Sequence, residues 1–275
     1  MAFGGVPVRD ALDSAMIAIA AAGSDTPRLD AELLLADALG VDRAALFADP
    51  GREVAGPAVR AFQDAVRRRS AGREPIAYIL GRRGFRHIEL HVDERVLVPR
   101  PETELLVDVG LELPVGARVA DVGTGSGAVA LALKHERPDL DVVATDISAG
   151  ALAVARANAR RLALDVMFVE GDLLAGMGKV DAVLSNPPYV AEGARATLAP
   201  EITRHEPPGA LFAGEDGLDV IRRLVPAAAG ARLLAIEVGE GQAGEVARLM
   251  REAGFGGVDA RPDLAGIERV VVGVR

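Results

Sequence analysis

Apolar residues recur at helical spacing over 9–22, 28–40 and 54–71, so each stretch presents one hydrophobic face and the pattern predicts three amphipathic helices. In "TPRLDAELLLADALG" Pro27 stands near the start and Gly40 just past the end, the usual punctuation of a helix. The period then changes. In "FRHIELHVDERVLVPR" Ile88, Leu90 and Val92 fall on one face and His87, Glu89 and His91 on the other, which predicts a short β-hairpin. From about residue 117 onward strand-like and helix-like runs alternate. "ARVADVG", "DVVATD", "VMFVEGD", "VDAVLSN", "ARLLAIEV" and "RVVVGVR" read as strands, with helices in "GAVALALKHE", "SAGALAVARANARRLAL", "GLDVIRRLVPAAA" and "AGEVARLMREAG". Such alternation predicts an α/β fold, a doubly wound and mostly parallel sheet with right-handed connections. The organisation expected is a small helical domain over 1–84, a hairpin linker over 85–100 and an α/β domain over 101–275.

In a sheet of that kind ligands bind at the carboxyl ends of the strands, so the chemistry should lie where strands stop. "DVGTGSGAVALAL" follows a strand and opens a helix. Gly123, Gly125 and Gly127 permit a tight turn whose backbone N–H groups can approach a ligand, with Thr124 and Ser126 between them. A nucleotide-like cofactor fits this loop. The same letters satisfy the degenerate G-x-G-x-x-A fingerprint, so the loop by itself leaves a dehydrogenase and a methyltransferase both open. Asp146 ends the next strand, 19 residues beyond Gly127, where a carboxylate can accept both ribose hydroxyls of either cofactor. Asp172 closes the third strand with Leu173 beside it, a polar group for an adenine edge and an apolar one for a ring face; a turn cap is the bland alternative for Asp172.

The fourth strand ends in "SNPPY". Proline donates no backbone hydrogen bond and pushes the residue before it toward extended geometry, so Pro187 and Pro188 should form a rigid lip rich in carbonyl acceptors. Asn186 adds a side-chain oxygen. A planar –NH₂ group could therefore donate one hydrogen to Asn186 and the other to the Pro187 carbonyl, with Tyr189 offering a flat face. The lone pair of such a nitrogen is delocalised, so alignment toward a methyl donor is most of the catalysis. No histidine is placed by sequence to act as base, and the proton can leave after transfer.

Charge and composition narrow the field. The net charge is −9, which argues against a protein that grips nucleic acid through a general positive field. The run Arg67–Arg69 is read as a solvated helix end, since charge runs usually face water. No cysteine is present, which excludes disulfides and thiolate metal sites and fits a reducing cytoplasm. No apolar run approaches the roughly 18 residues of a membrane span, and no secretory signal is expected. His87 and His91 lack the order of a zinc helix and read as exposed strand polars; Ser126 and Ser185 have no evident base. Glu206 and Asp216 could touch substrate or merely stabilise their loop.

Through "DVGTGSG", Asp146, Asp172 and "NPPY" the chain resembles the class I S-adenosylmethionine-dependent methyltransferases, Rossmann-like enzymes whose NPPY members methylate planar nitrogens. Further stretches, "LDAELLLADALG", "REPIAYILG", "LVPRPETELLV", "EPPGALFAGEDGLDVI" and "DLAGIERVVVG", are similar to the peptide chain release factor glutamine methyltransferase family over nearly the whole length. The resemblance implies a cytoplasmic enzyme that methylates the side-chain nitrogen N5 of the glutamine in a Gly-Gly-Gln loop of a release factor. S-adenosyl-L-methionine would be the donor and S-adenosyl-L-homocysteine the product. By the same resemblance Gly123, Thr124, Gly125, Ser126, Gly127, Asp146, Asp172, Leu173 and Asn186 would contact the cofactor. Asn186, Pro187, Pro188 and Tyr189 would hold the glutamine, with Asn186, Pro187 and Tyr189 carrying the catalysis, and Arg100, Pro101, Glu102 and Thr103 would border the pocket. Leu173 stands where some relatives carry an aromatic residue. The helical domain is expected to recognise the protein partner, with no direct nucleic-acid or membrane contact. The alternative is a methyltransferase for the exocyclic amines of nucleic acid, at N6 of adenine or N2 of guanine. A partner-binding module that keeps the fold without catalysis is the non-enzymatic alternative.

Overall fold

A computed structural model describes residues 5–275 of the chain. In chain order its elements begin with β1 (Val6–Pro7), α1 (Val8–Ala21), α2 (Pro27–Leu39), α3 (Arg43–Ala48), β2 (Glu53–Val54), α4 (Pro57–Ser70) and α5 (Ile76–Leu80). The hairpin β3 (Arg82–Phe85) and β4 (Ile88–His91) and helix α6 (Glu104–Leu111) follow. Then come β5 (Arg118–Val122), α7 (Ala128–Glu136), β6 (Asp141–Asp146), α8 (Ala149–Leu162), β7 (Met167–Glu170) and β8 (Ala182–Ser185). The chain ends with α9 (Pro200–His205), α10 (Asp219–Ala227), β9 (Leu233–Glu237), α11 (Ala243–Glu252), β10 (Gly257–Pro262) and β11 (Glu268–Val274). Two compact units result, one reaching to Gly81 and including 199–205, the other comprising 82–198 and 206–275. Among the described residues no helix is long and apolar enough to cross a membrane.

The first unit is helical and its helices start and stop where local chemistry says they should. Pro27 occupies the first turn of α2 and Gly40 closes it at φ 63°, a left-handed value that costs glycine little. Asp42 caps α3 by accepting the Ala45 N–H at 3.0 Å. The third helix expected from residue 54 begins only at Pro57, because Glu53 and Val54 pair with Pro7 and Val6 as a two-residue ladder. Val8, Ile19, Leu34, Leu35, Leu46 and Phe62 bury together as the core.

The arginine run departs from the sequence expectation. Arg67 pairs with Asp64 at an exposed position and Arg68 with Glu74 at a partly exposed one, but Arg69 is buried. Its guanidinium donates to Asp30 at 2.6 Å, Glu201 at 2.8 Å and Ser24 Oγ at 2.9 Å. Arg73 reaches the other oxygen of Glu201 at 2.7 Å. The buried charge is tolerated because carboxylates from α2 and α9 meet it, a pairing that sequence spacing alone does not display. These contacts fasten the segment 199–205 into the helical unit.

The second unit is built on a seven-stranded sheet in the order β10-β11-β9-β8-β5-β6-β7. Strands β7, β6, β5, β8 and β9 are mutually parallel, and β11 runs antiparallel between β9 and β10. This is the doubly wound, mostly parallel arrangement expected from the alternating runs. The central strand β8 is buried on both faces while the edge strands β7 and β10 are exposed at alternate or terminal positions. Ile221, Leu224, Val225, Val246 and Met250 of α10 and α11 pack on Val183, Leu234 and Ile236 of the sheet. The hairpin occupies 82–91, with Ile88, Leu90 and Val92 buried and His87, Glu89 and His91 exposed as the alternation requires. Strand β10 and helix α6 have no counterpart in the sequence reading; in β10 the charged Asp259 and Arg261, with Gly257 and Pro262 at its ends, leave little apolar alternation.

Candidate active site

Connections leave β5 and β8 in opposite directions, so a crevice opens beyond their adjacent carboxyl ends. The glycine loop leaves β5 and the proline lip leaves β8. Ser185 Oγ ties the two strand ends together by donating to the Val122 carbonyl at 2.8 Å. A Cβ placed on Gly123 would lie 3.9 Å from the Asn186 carbonyl oxygen, which measures how close the two loops run.

All three loop glycines take positive φ, a conformation that costs glycine little. At Gly127 a Cβ would come 2.8 Å from Leu131 Cδ1, whereas at Gly125 it would meet nothing within 4 Å, so bare backbone there faces open space. The amides of Gly123 and Thr124 both donate to the Thr145 carbonyl at 2.9 Å. Gly125 N–H donates to Asp146 Oδ2 at 2.9 Å, and Ser148 N–H to Asp146 Oδ1 at 2.8 Å. Burial raises the Asp146 carboxyl above its usual range while these N–H groups oppose the shift. Beneath the loop sits Asp121, buried, with Thr124 Oγ1 donating to it at 2.6 Å and Ala130 N–H at 3.1 Å. Burial pushes its carboxyl up to about 6. Ser126 is buried and its carbonyl accepts from Asn158 Nδ2 at 3.0 Å.

The third strand end is different. Asp172 is half-exposed and forms an ion pair with Arg223 of α10. Leu173 adopts φ 53°, unusual for a residue with a side chain, and its carbonyl accepts from Thr145 Oγ1 at 2.7 Å.

At the lip Pro187 is buried, and Asn186, Pro188 and Tyr189 are partly so. Asn186 Nδ2 donates to Thr103 Oγ1 at 3.0 Å, and its side-chain oxygen takes no hydrogen bond among the described residues. The Tyr189 hydroxyl donates to Glu237 Oε1 at 3.2 Å, and its carbonyl accepts from Gln242 Nε2 at 3.0 Å. Gly217, at φ 79°, is required beside that carbonyl, because a Cβ would stand 2.2 Å from the oxygen. Arg100 donates to the buried Glu206 at 2.6 Å, whose carboxyl burial raises despite the cation. Asp216 is clamped by Arg222 and accepts Leu218 N–H at 3.1 Å, so it stabilises its loop.

Sequence reasoning gave no role to Glu237 or Asp121. Glu237 ends β9 and is 1% exposed, and burial pushes its carboxyl from 4.5 up to about 7 against the favourable dipoles of Thr103 and Tyr189. The signal was a lone acid closing an apolar parallel strand in "ARLLAIEV". Between 4.5 and about 7 the folded chain keeps a proton that the unfolded chain has released, so Glu237 subtracts stability as pH rises, by about 3 kcal/mol in full. Glu237→Gln is therefore expected to flatten this part of the stability-against-pH curve and to gain on the parent as pH rises through 7. Melting temperatures of both at pH 5 and pH 8 check it; an equal pH dependence would contradict the buried charge.

Residues 10–81 match the family described as the PrmC N-terminal domain and residues 101–209 the methyltransferase small domain. A protein of Deinococcus radiodurans named release factor glutamine methyltransferase is 44% identical over 272 residues, covering 96% of this chain and 97% of its own. One of the same name from Koribacter versatilis is 42% identical over 277 residues, covering 97% and 98%. Among solved structures, the hMettl16 catalytic domain aligns at a TM-score of 0.55 with 17% identity over 82% of this chain and 83% of that one. A methyltransferase from Pyrococcus furiosus aligns at 0.51 with 17% identity over 67% and 87%. At such identities these two establish the class I methyltransferase fold and nothing finer.

Proposed function

The chain belongs to the release factor glutamine methyltransferase family, and on that premise we propose that it transfers a methyl group from S-adenosyl-L-methionine to N5 of the glutamine in a release factor's Gly-Gly-Gln loop. The observation that carries the reading is Asn186, whose –NH₂ is tied to Thr103 while its oxygen stays free, next to a glycine loop that fronts open space. That is an acceptor waiting for an amide hydrogen. Bound along the glycine loop and Asp146, the cofactor would supply a methyl on a cationic sulfur that departs as a neutral thioether.

Each residue then has a task. Gly123, Thr124, Gly125, Ser126 and Gly127 offer backbone at close approach, and Asp146 accepts ribose hydroxyls from a carboxylate already aligned by two N–H groups. Leu173 covers an adenine face. Asp172 reaches the base only by sharing itself with Arg223. Asn186 Oδ1 and the Pro187 carbonyl accept the two amide hydrogens, Pro188 stiffens the lip and Tyr189 flanks the amide plane. This alignment aims the nitrogen lone pair at the methyl carbon, and the two acceptors stabilise the positive charge that grows on nitrogen. The surplus proton leaves to water after the N–C bond has formed.

Asp146→Ala is expected to weaken S-adenosyl-L-methionine binding about 100-fold, the worth of two hydrogen bonds to a charged acceptor. Calorimetric titration checks it, and unchanged affinity would remove the ribose role. The nucleic-acid alternative is not favoured, since the near-full-length relatives carry the release factor name and the chain is acidic.

The deciding experiment is intact and peptide mass spectrometry of a release factor incubated with the protein and S-adenosyl-L-methionine. One added methyl on the Gly-Gly-Gln glutamine supports the reading, and no transfer despite cofactor binding defeats it. A short Gly-Gly-Gln peptide run in parallel tests the helical unit as the partner-recognising part. Whole factor should be methylated far faster than peptide; equal rates would withdraw that role.

A further inference from the structure

Hydrogen-bond direction, more than distance, decides what Asn186 can recognise. An amide side chain offers an acceptor on one side and two donors on the other, and a flip of the side chain exchanges them. Facing the crevice with its –NH₂, Asn186 would repel an incoming amide nitrogen. Something must hold the oxygen outward.

Thr103 is the immediate partner, but a hydroxyl can accept or donate and so cannot by itself choose. The choice lies one residue further. Beside Thr103 sits the buried Glu237, whose Oε2 has no hydrogen-bond partner among the described residues and whose charge is favoured by the Thr103 hydroxyl. Among the described residues that hydroxyl has no other acceptor for its proton. The orphaned oxygen and the uncommitted proton answer each other. An ionised carboxylate only accepts, so Thr103 must turn its proton toward Glu237. Its oxygen is then left to accept, and Asn186 can meet it only with –NH₂. The same carboxylate takes the Tyr189 hydroxyl, fixing the far end of the lip.

Resting on the function proposed above, we propose that Glu237 is a positioning residue that polarises the chain Asn186–Thr103–Glu237, locking the Asn186 oxygen toward the substrate amide and Tyr189 in register with it. Glutamine in place of Glu237 keeps the shape but brings donors of its own, so the direction is no longer enforced. Valine in place of Thr103 cuts the chain, and serine preserves it.

The test measures kcat, KM and cofactor affinity for the parent, Glu237→Gln, Thr103→Val and Thr103→Ser on a release factor. Glu237→Gln and Thr103→Val should lose about 10- to 100-fold in kcat, the cost of a misaligned attack, with KM and cofactor affinity within about threefold. Thr103→Ser should keep activity within about threefold of the parent. The parent kcat should fall on acidification as Glu237 takes a proton, and Glu237→Gln should lack that limb. Glu102, Tyr189 and Arg269 face the same carboxylate and bear on where the limb lies. Full kcat in Glu237→Gln, or loss in Thr103→Ser equal to that in Thr103→Val, overturns the proposal. A second readout needs no turnover: the Asn186 side-chain NH₂ resonance should exchange slowly in the parent and lose protection in Thr103→Val and Glu237→Gln, and equal protection in all three also overturns it. A parent that methylates no release factor would defeat the function reading, while the resonance still decides the polarity.

Discussion

Replacing Asn186 by alanine is expected to lower kcat about 1000-fold, at the upper end of what one preorganised hydrogen-bonding group contributes. The affinity for S-adenosyl-L-methionine should change by less than about tenfold, because the glycine loop and Asp146 are untouched. The two effects separate because of where Asn186 stands. It follows β8, and its side chain is held from the side by Thr103 rather than by the glycine loop. Truncation removes the oxygen that accepts one amide hydrogen and leaves the Pro187 carbonyl to accept the other alone. The amide can then rotate, and the nitrogen's lone pair no longer points at the methyl. Single-turnover transfer followed by mass spectrometry, with cofactor titration beside it, reads both quantities. A variant within tenfold of the parent rate would contradict the amide clamp.

The second large effect is on stability and lies in the helical unit. Arg69→Ala should destabilise that unit by roughly 3–5 kcal/mol, since it leaves the buried Asp30 carboxylate without its cation. Asp30 is 4% exposed and among the described residues keeps only the hydroxyls of Ser24 and Thr26, at 2.8 and 2.9 Å. Glu201 keeps Arg73, so the loss should be felt more around α2 than at α9. Amide exchange of α2 and α4, resolved by peptide, checks this more sharply than a single melting temperature in a chain of two compact units. A cost below about 1 kcal/mol would mean that water reaches the carboxylates. Removing residues 1–81 would instead take both Arg69 and Arg73 from Glu201, which makes point substitutions in the helical unit the cleaner probe.

The elements with strong period were legible from the start. "DVVATD" is β6 over Asp141–Asp146, and helices expected at 9–22 and 28–40 appear as Val8–Ala21 and Pro27–Leu39. What escaped had weak local signals. Helix α6 is only eight residues long and starts just past Pro101, too short to establish a helical period, and β10 is an edge strand that owes its form to antiparallel pairing with β11. Glu237 and Arg69 escaped for a shared reason. Burial of a charge depends on partners brought from elsewhere in the chain, Thr103 and Tyr189 in one case, Asp30 and Glu201 in the other.

By itself the sequence determined the alternating architecture, the strand ends at which chemistry gathers, and the glycine loop and Asn-Pro-Pro-Tyr lip that occupy two of them. These follow from periodicity and from the fixed backbone habits of glycine and proline, which act locally. Tertiary structure alone decided that the two loops lie side by side, that Asp172 is drawn to Arg223, and that Asn186 turns its nitrogen to Thr103. Those outcomes rest on hydrogen bonds and charge pairs between residues dozens of positions apart, and only the folded sheet sets their distances and directions.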